Sequence, residues 1–375
     1  MIFLRARQFF LCGVLLYTGT TLAAACDVWP AWKAYKTHLL EDGRVVDAES
    51  ERKITTSEGQ SYGLFFALVA NDRASFNKIL DWTENNLAQG DFIQHLPAWQ
   101  WGHRDDGSWG VVDSNSAADS DLWIAYTLAQ AGRLWKERRY RVLSQLIAHR
   151  MLHEETAQIP GLGLTLLPAP AGFTPATDVW RLNPSYVPIQ VLRGMSVSDA
   201  KSPWSLLIES SAKLLRESAP VGFSPDWVLY EAGKGFRPDP DTQGVGSYNS
   251  IRVYLWAGML DAGEPLRSDL LKTFAPMAVR TVQQGAPPEV VDTQTGASTT
   301  TGPAGFSAAM LPFLQAQGEI KAVTQQRQRT EKNPASPTAY YNQSLTLFGL
   351  GWLEGYYRFN KDGSLRPRWS KACAR

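Results

Sequence analysis

The chain has 375 residues, 44% of them hydrophobic, with 37 Lys and Arg against 36 Asp and Glu and a formal net charge of +1. This balance provides no basic field for a nucleic acid partner. The length suffices for one large domain or two small ones.

The N-terminus reads as an export signal. Arg5 and Arg7 precede the apolar stretch from Phe9 to Tyr17, and Ala23-Ala24-Ala25 follows. Cleavage is expected before Cys26, so residues 1–25 form the signal and 26–375 a single domain. The apolar stretch is too short to span a bilayer. The mature chain is therefore expected to lack a transmembrane domain and to work in the periplasm or outside the cell. A lipoprotein would also begin at Cys26, but Ala23 stands where such sites favour a bulky aliphatic residue. Cys26 and Cys373 remain near the two ends of the mature chain and can pair in an oxidising compartment. The sequence alone does not bring them together. They form neither a metal-binding nor a catalytic thiol pattern, and no cofactor is expected.

Helical periodicity dominates the remainder. A leading helix is expected from Trp29 toward Leu40. Others are expected around Leu64–Val69, Phe76–Leu87, Asp121–Leu134, Lys136–Leu152, Ser202–Leu215, Ile251–Leu260, Leu266–Val282, Ala304–Leu314, Ile320–Gln328 and Ser344–Tyr357. Short strands fit Gly161–Leu167 and Val221–Tyr230. Residues 90–118, 285–305 and 330–336 read as loops. Helical pairs must bury their apolar faces on other pairs, and a closed ring of hairpins fits the length. No fixed-period repeat supports an open solenoid.

Two acidic positions at helix starts stand out. Glu58 lies in Thr-Ser-Glu-Gly-Gln-Ser-Tyr-Gly, between a polar lead-in and an apolar helix, with Gly59 and Gly63 leaving room for a long ligand. Asp119 and Asp121 follow a small-residue patch and open another strongly apolar helix. Each acid also fits an ordinary first-turn role, which stabilises the anion. A general acid would instead need its proton held by burial or by a neighbouring carboxylate. Two carboxyls facing one cleft are the raw material of glycoside hydrolysis. The loop from Trp99 to Gly110 is dense in aromatics and acids, with a turn at Asp106-Gly107. It lacks the ordered oxygen spacing of a calcium loop, so no metal is expected. Trp101, Trp109 and Trp180 are candidate sugar platforms, although each also suits loop packing.

Ser57-Glu58-Gly59-Gln60-Ser61-Tyr62-Gly63 and Ala118-Asp119-Ser120-Asp121, followed by Ile124-Ala125 and Trp135, resemble glycoside hydrolase family 8, and more narrowly the periplasmic endo-β-1,4-glucanases of bacterial cellulose synthesis systems. The resemblance implies an all-α (α/α)6 barrel with short β segments in its loops. It also implies inverting cleavage within a β-1,4-glucan chain and functional association with a cellulose synthase or export complex. Glu58 matches the family's proton donor, and Asp119 matches an acid at the central sugar subsite. The family's base is an aspartate in Ser-Tyr-Asp-Ala-x-Arg, and here that stretch is Ser247-Tyr248-Asn249-Ser250-Ile251-Arg252. Asn249 can orient water but cannot take its proton. Asp119, Asp239 and Asp241 are the substitute bases considered from sequence. Tyr186, Tyr248 and Arg252 gain substrate-site roles from the resemblance, as does Asp121. A glucan-binding accessory protein with little catalysis is the alternative reading. A lyase acting on an acidic polysaccharide is disfavoured, because no Tyr/His/Arg motif is present.

Overall fold

The computed structural model describes residues 29–372. The expected signal segment, Cys26 and Cys373 lie outside the described residues.

Helices appear in alternating roles along the chain. They are α1 (Pro30–Leu39), α2 (Ser57–Val69), α3 (Arg73–Leu87), α4 (Ala118–Leu134), α5 (Arg138–Glu154), α6 (Ile189–Ser198), α7 (Trp204–Glu217), α8 (Ser250–Gly258), α9 (Arg267–Gln284), α10 (Ala304–Ala316), α11 (Ile320–Lys332), α12 (Tyr340–Leu353) and the short α13 (Trp369–Ala372). The even-numbered helices touch in sequence, α2 to α4 to α6 to α8 to α10 to α12, and α12 returns to α2. Each carries one outer helix: α3, α5, α7, α9 and α11 pack on the inner helix before them, and α1 packs on α12. Six inner and six outer helices thus close an (α/α)6 barrel.

Burial follows from this arrangement. The inner helices are apolar nearly all round, as buried helices must be. α4 is buried from Ala118 to Gly132, α8 from Ser250 to Gly258 and α10 from Ala304 to Leu314. The outer helix α11, by contrast, buries only Ala322, Gln326 and Thr330 and turns Lys and Arg outward. Aromatic rings fill the barrel centre. Phe348 of α12 meets Tyr62 at 5.0 Å, Phe66 at 4.7 Å and Trp256 at 5.2 Å between centroids, so α2, α8 and α12 converge on one side chain. Such pairs contribute about 0.5–1.5 kcal/mol each beyond area burial.

The sequence expectations locate most helices within a few residues. They miss α6. Its ten residues follow Pro188 and include Gly194, which weakens a local helical signal, and its stability comes from packing on α4 and α7. The expected loop at 90–118 contains a hairpin, Gln100–His103 against Trp109–Asp113, turned through Gly107 at φ 83°. Loop 285–305 is tied down at Val291–Asp292, which pairs with Val245–Gly246. The expected helix from Ser344 to Tyr357 begins at Tyr340 and stops at Leu353, because Tyr357–Phe359 pairs with Leu365–Pro367.

Close approach of α10 and α12 requires Gly349, where a Cβ would collide with the Ala308 carbonyl oxygen. Gly349→Val should cost about 1–3 kcal/mol through overpacking and lower the melting temperature. An unchanged thermal melt would contradict this packing.

Candidate active site

The inner helices begin at one end of the barrel, and their first turns build the site. α2 starts where it does because the Thr56 hydroxyl accepts the Gly59 N–H at 3.0 Å, which places Glu58 in the first turn. Thr56 is itself held in an antiparallel strand pair with Gln100. Asp119 stands in the first turn of α4. Asn183 accepts the Ser185 N–H at 3.0 Å and shapes the single 3-10 turn Pro184–Tyr186 that precedes α6. Asp226 organises the start of α8: its Oδ1 accepts the N–H groups of Ser247 (2.8 Å), Asn249 (3.0 Å) and Ser250 (2.7 Å).

Arg252, in the first turn of α8, connects these starts. Its side chain is 3% exposed, and Nη1 pairs with Glu58 Oε2 and lies 3.5 Å from Asp119 Oδ2. Nη1 also donates to the Tyr62 hydroxyl at 3.1 Å, one helical turn beyond Glu58. Nη2 donates to Ser185 Oγ at 2.9 Å and to Asn249 Oδ1 at 2.7 Å. The guanidinium lies 5.8 Å from the Tyr186 ring centroid and 5.9 Å from that of Tyr341. The Tyr340 hydroxyl donates to Glu58 Oε1. A buried guanidinium is tolerated because its fork finds this many acceptors.

Electrostatics separate the acids. Burial pushes Asp119 up to about 6, against the lowering effect of its bonds from the Ser120 N–H and hydroxyl. Asp121 differs from its expected substrate-binding role. It is fully buried, and among the described residues no N–H or alcohol group donates to its carboxyl oxygens. Burial first, and the neighbouring Glu155 second, push its carboxyl well above the ordinary range. Glu155 is raised to about 8, chiefly by burial, and accepts the Ser116 hydroxyl. Two buried carboxyls side by side cannot both ionise, so they share a proton, which satisfies the otherwise unpaired oxygens. Asp121 thus supports the first turn of α4 from below and does not line a cleft.

The other expected positions divide. Glu58, Asp119, Asn249, Arg252 and Tyr186 come together. Tyr248, expected to orient water and carboxylates, sits at the rim. It is 43% exposed and its hydroxyl donates to Glu289 at 2.8 Å. Trp101 and Trp109 stack on each other at 5.4 Å, and the Arg44 guanidinium lies over both rings. Trp101 is thereby largely engaged in packing, whereas Trp109 remains 49% exposed. Trp180 pairs in register with Tyr230 and so faces away from its strand neighbour Arg181, whose guanidinium lies 4.3 Å from the Trp227 centroid. Trp227, which also meets Phe173 at 5.5 Å and Tyr186 at 5.9 Å, is the aromatic surface next to the site. Asp239 is consumed by Arg181 and Thr242, and Asp241 is exposed.

Sequence reasoning missed Tyr62, Glu155, Ser185, Asp226, Trp227, Tyr340 and Tyr341. Only Tyr62, at i+4 from Glu58, and Asp226-Trp227, in a Ser-Pro-Asp-Trp loop, carried a local signal. A polar groove of about 760 Å³, lined in part by His95, Arg104, Asp113 and Asn115, includes none of the residues converging on Arg252. The convergence of charged groups, rather than groove size, makes the Arg252 cluster the candidate site.

Comparisons with known proteins agree with this architecture. Residues 5–355 match the family described as Glycosyl hydrolases family 8. The chain is 49% identical over 362 residues to an endoglucanase of Escherichia coli (strain K12), covering 96% of each. The solved endo-1,4-D-glucanase from Vibrio fischeri ES114 is 47% identical, with a TM-score of 0.84 over 91% of this chain and 99% of that one. The solved endo-beta-1,4-glucanase CMCax from Acetobacter xylinum is 27% identical, with a TM-score of 0.69 over 86% and 96%. The chain belongs to glycosyl hydrolases family 8.

The carboxyl pair makes folding depend on pH. Unfolded carboxyls titrate near ~4, whereas folded Glu155 holds its proton to about 8. The folded chain therefore binds more protons across this window. The pair's contribution to stability is fully present below this window and is lost as pH rises through it. Glu155→Gln should make that fall shallower in thermal melts, and an equally steep fall would contradict the shared proton.

Proposed function

We propose that this chain cuts within β-1,4-glucan chains, inverting the anomeric centre, as an exported endoglucanase functionally associated with bacterial cellulose biosynthesis. The endoglucanase reading is supported by full-length similarity to proteins named endoglucanases. The biosynthetic role and the inverting course rest on the resemblance of the two acid motifs. No helix among the described residues is long and apolar enough to cross a membrane, and the export signal expected at residues 1–25 supports a periplasmic or secreted location.

The carrying observation is the Arg252 cluster, in which Glu58, Asp119 and Asn249 share one guanidinium at the mouth of the barrel. A glucan would lie across the inner-helix N-termini, against aromatic faces that include Trp227 and the exposed Trp109. Desolvation by a bound sugar favours the neutral, proton-donating form of a carboxyl. Glu58, with its side chain still 20% exposed, donates to the glycosidic oxygen. Asp119 stabilises positive charge growing on the ring. Water attacks the anomeric carbon from the opposite face, in the space of about 6.5–9.5 Å that an inverting site keeps between acid and base. Asn249 has its carbonyl oxygen turned to Arg252, which leaves its amide N–H₂ to orient that water.

Product analysis with cellohexaose and carboxymethylcellulose tests the reading. Glu58→Gln should lower turnover by about 10²–10⁴-fold while the fold and cello-oligosaccharide binding persist. Unimpaired turnover by that variant would remove Glu58 from the role. Saturable binding without products, even for the unaltered chain, would instead mark a glucan-binding accessory protein.

A further inference from the structure

The endoglucanase reading leaves one proton without a destination. The attacking water must lose it, and Asn249 cannot take it. Asp119 is 5% exposed, with Oδ1 engaged by Ser120 and Oδ2 facing Arg252. Asp239 is 1% exposed and bound to Arg181. Glu289 is engaged at the rim by the Tyr248 hydroxyl.

We propose that Asp226 is the proton acceptor for the hydrolytic water, which Asn249 positions. Three backbone N–H groups, of Ser247, Asn249 and Ser250, fix Asp226 Oδ1 at the start of α8. The Ser250 hydroxyl donates to the Ser247 carbonyl at 3.1 Å and so braces the same turn. Among the described residues no backbone N–H engages Oδ2. The next residue, Trp227, turns its ring toward Tyr186 and Arg181, so the Asp226-Trp227 loop borders the same mouth. Asp226 is neither fully buried nor ion-paired among the described residues. Burial raises its carboxyl above the ordinary value despite the lowering effect of its backbone bonds, which strengthens it as a base. A carboxylate held at the backbone of Asn249 can thus perform, one step removed, the work that an acid at position 249 would perform directly.

The step balances. The water oxygen bonds to the anomeric carbon as its proton passes to Asp226 Oδ2. The carbon–oxygen glycosidic bond breaks, and the leaving oxygen takes the Glu58 proton. Exchange with solvent then restores both carboxyls. This inference rests on the hydrolytic reading above and specifies the base of the same site.

Asp226→Asn preserves an oxygen for the three backbone N–H groups and should fold. We expect kcat on cellohexaose to fall by about 10²–10⁴-fold, with oligosaccharide affinity retained. Azide needs no proton removed, so it should restore cleavage of an activated β-cellobioside in this variant and yield the α-glycosyl azide. Asn249→Asp introduced into the Asp226→Asn chain should recover cellohexaose turnover, because it supplies a second acceptor. Glu289→Gln should keep turnover within a few-fold of the parent. Full activity of Asp226→Asn, or loss in Glu289→Gln alone, would overturn the proposal. So would an inactive Asp226→Asn chain that neither azide nor Asn249→Asp rescues, since that marks a structural role. An inactive parent made active by Asn249→Asp would refute Asp226 as base while keeping the glucanase scaffold. If neither the parent nor Asn249→Asp cleaves glucan, the hydrolytic reading itself fails.

Discussion

A guanidinium taken out of water has to be surrounded by acceptors, and the Arg252 side chain is almost wholly buried. Its acceptors come from four separate parts of the chain: Glu58 and Tyr62 on α2, Asp119 on α4, Ser185 before α6, and Asn249 at the head of α8. Each is far from the others in sequence. Only a closed ring of inner helices, all beginning at one end, brings them within reach of one cation. The site and the barrel are therefore one construction. The aromatic packing around Phe348 sets where α2, α8 and α12 stand, and the Tyr62 hydroxyl carries that packing directly to Arg252.

Beneath this cation sits a second electrostatic arrangement of opposite kind. Asp121 and Glu155 have no positive partner among the described residues and stay buried by sharing a proton. Asp119, two residues from Asp121, faces the mouth and Arg252. Adjacent acids on one helix turn thus divide into a supporting group below and a charged group above. Helix periodicity turns residues two apart to different faces, and the closed barrel makes one face solid protein and the other a cleft.

The sequence made the helical ring legible because inner helices such as Ala304–Leu314 are apolar throughout, whereas outer ones such as Ile320–Lys332 are amphipathic. Glu58 and Asp119 were legible because each stands between a small or polar lead-in and a strongly apolar helix. α6 was not, because Gly194 and the short length dilute its pattern and tertiary contacts stabilise it. Glu155 was hidden at the end of an outer helix, where an acid ordinarily meets solvent. The Ser-Pro-Asp-Trp loop marked Asp226 locally, but its role was not legible, because that role comes from backbone groups more than twenty residues away. Trp180 and Trp227 show the limit of composition. Both stood out from sequence only as tryptophans, and tertiary contacts alone tell that Trp227 is the one beside Tyr186 and Arg181.

In the proposed mechanism Arg252 gathers a proton donor on one side of a glycosidic bond and a positioned water on the other, with no covalent sugar–enzyme intermediate. Proton NMR of the first products released from cellohexaose tests this most directly. The new reducing end should appear first as the α-anomer and reach the β form only by mutarotation. Initial appearance of the β-anomer would mean retention and would contradict direct attack by water.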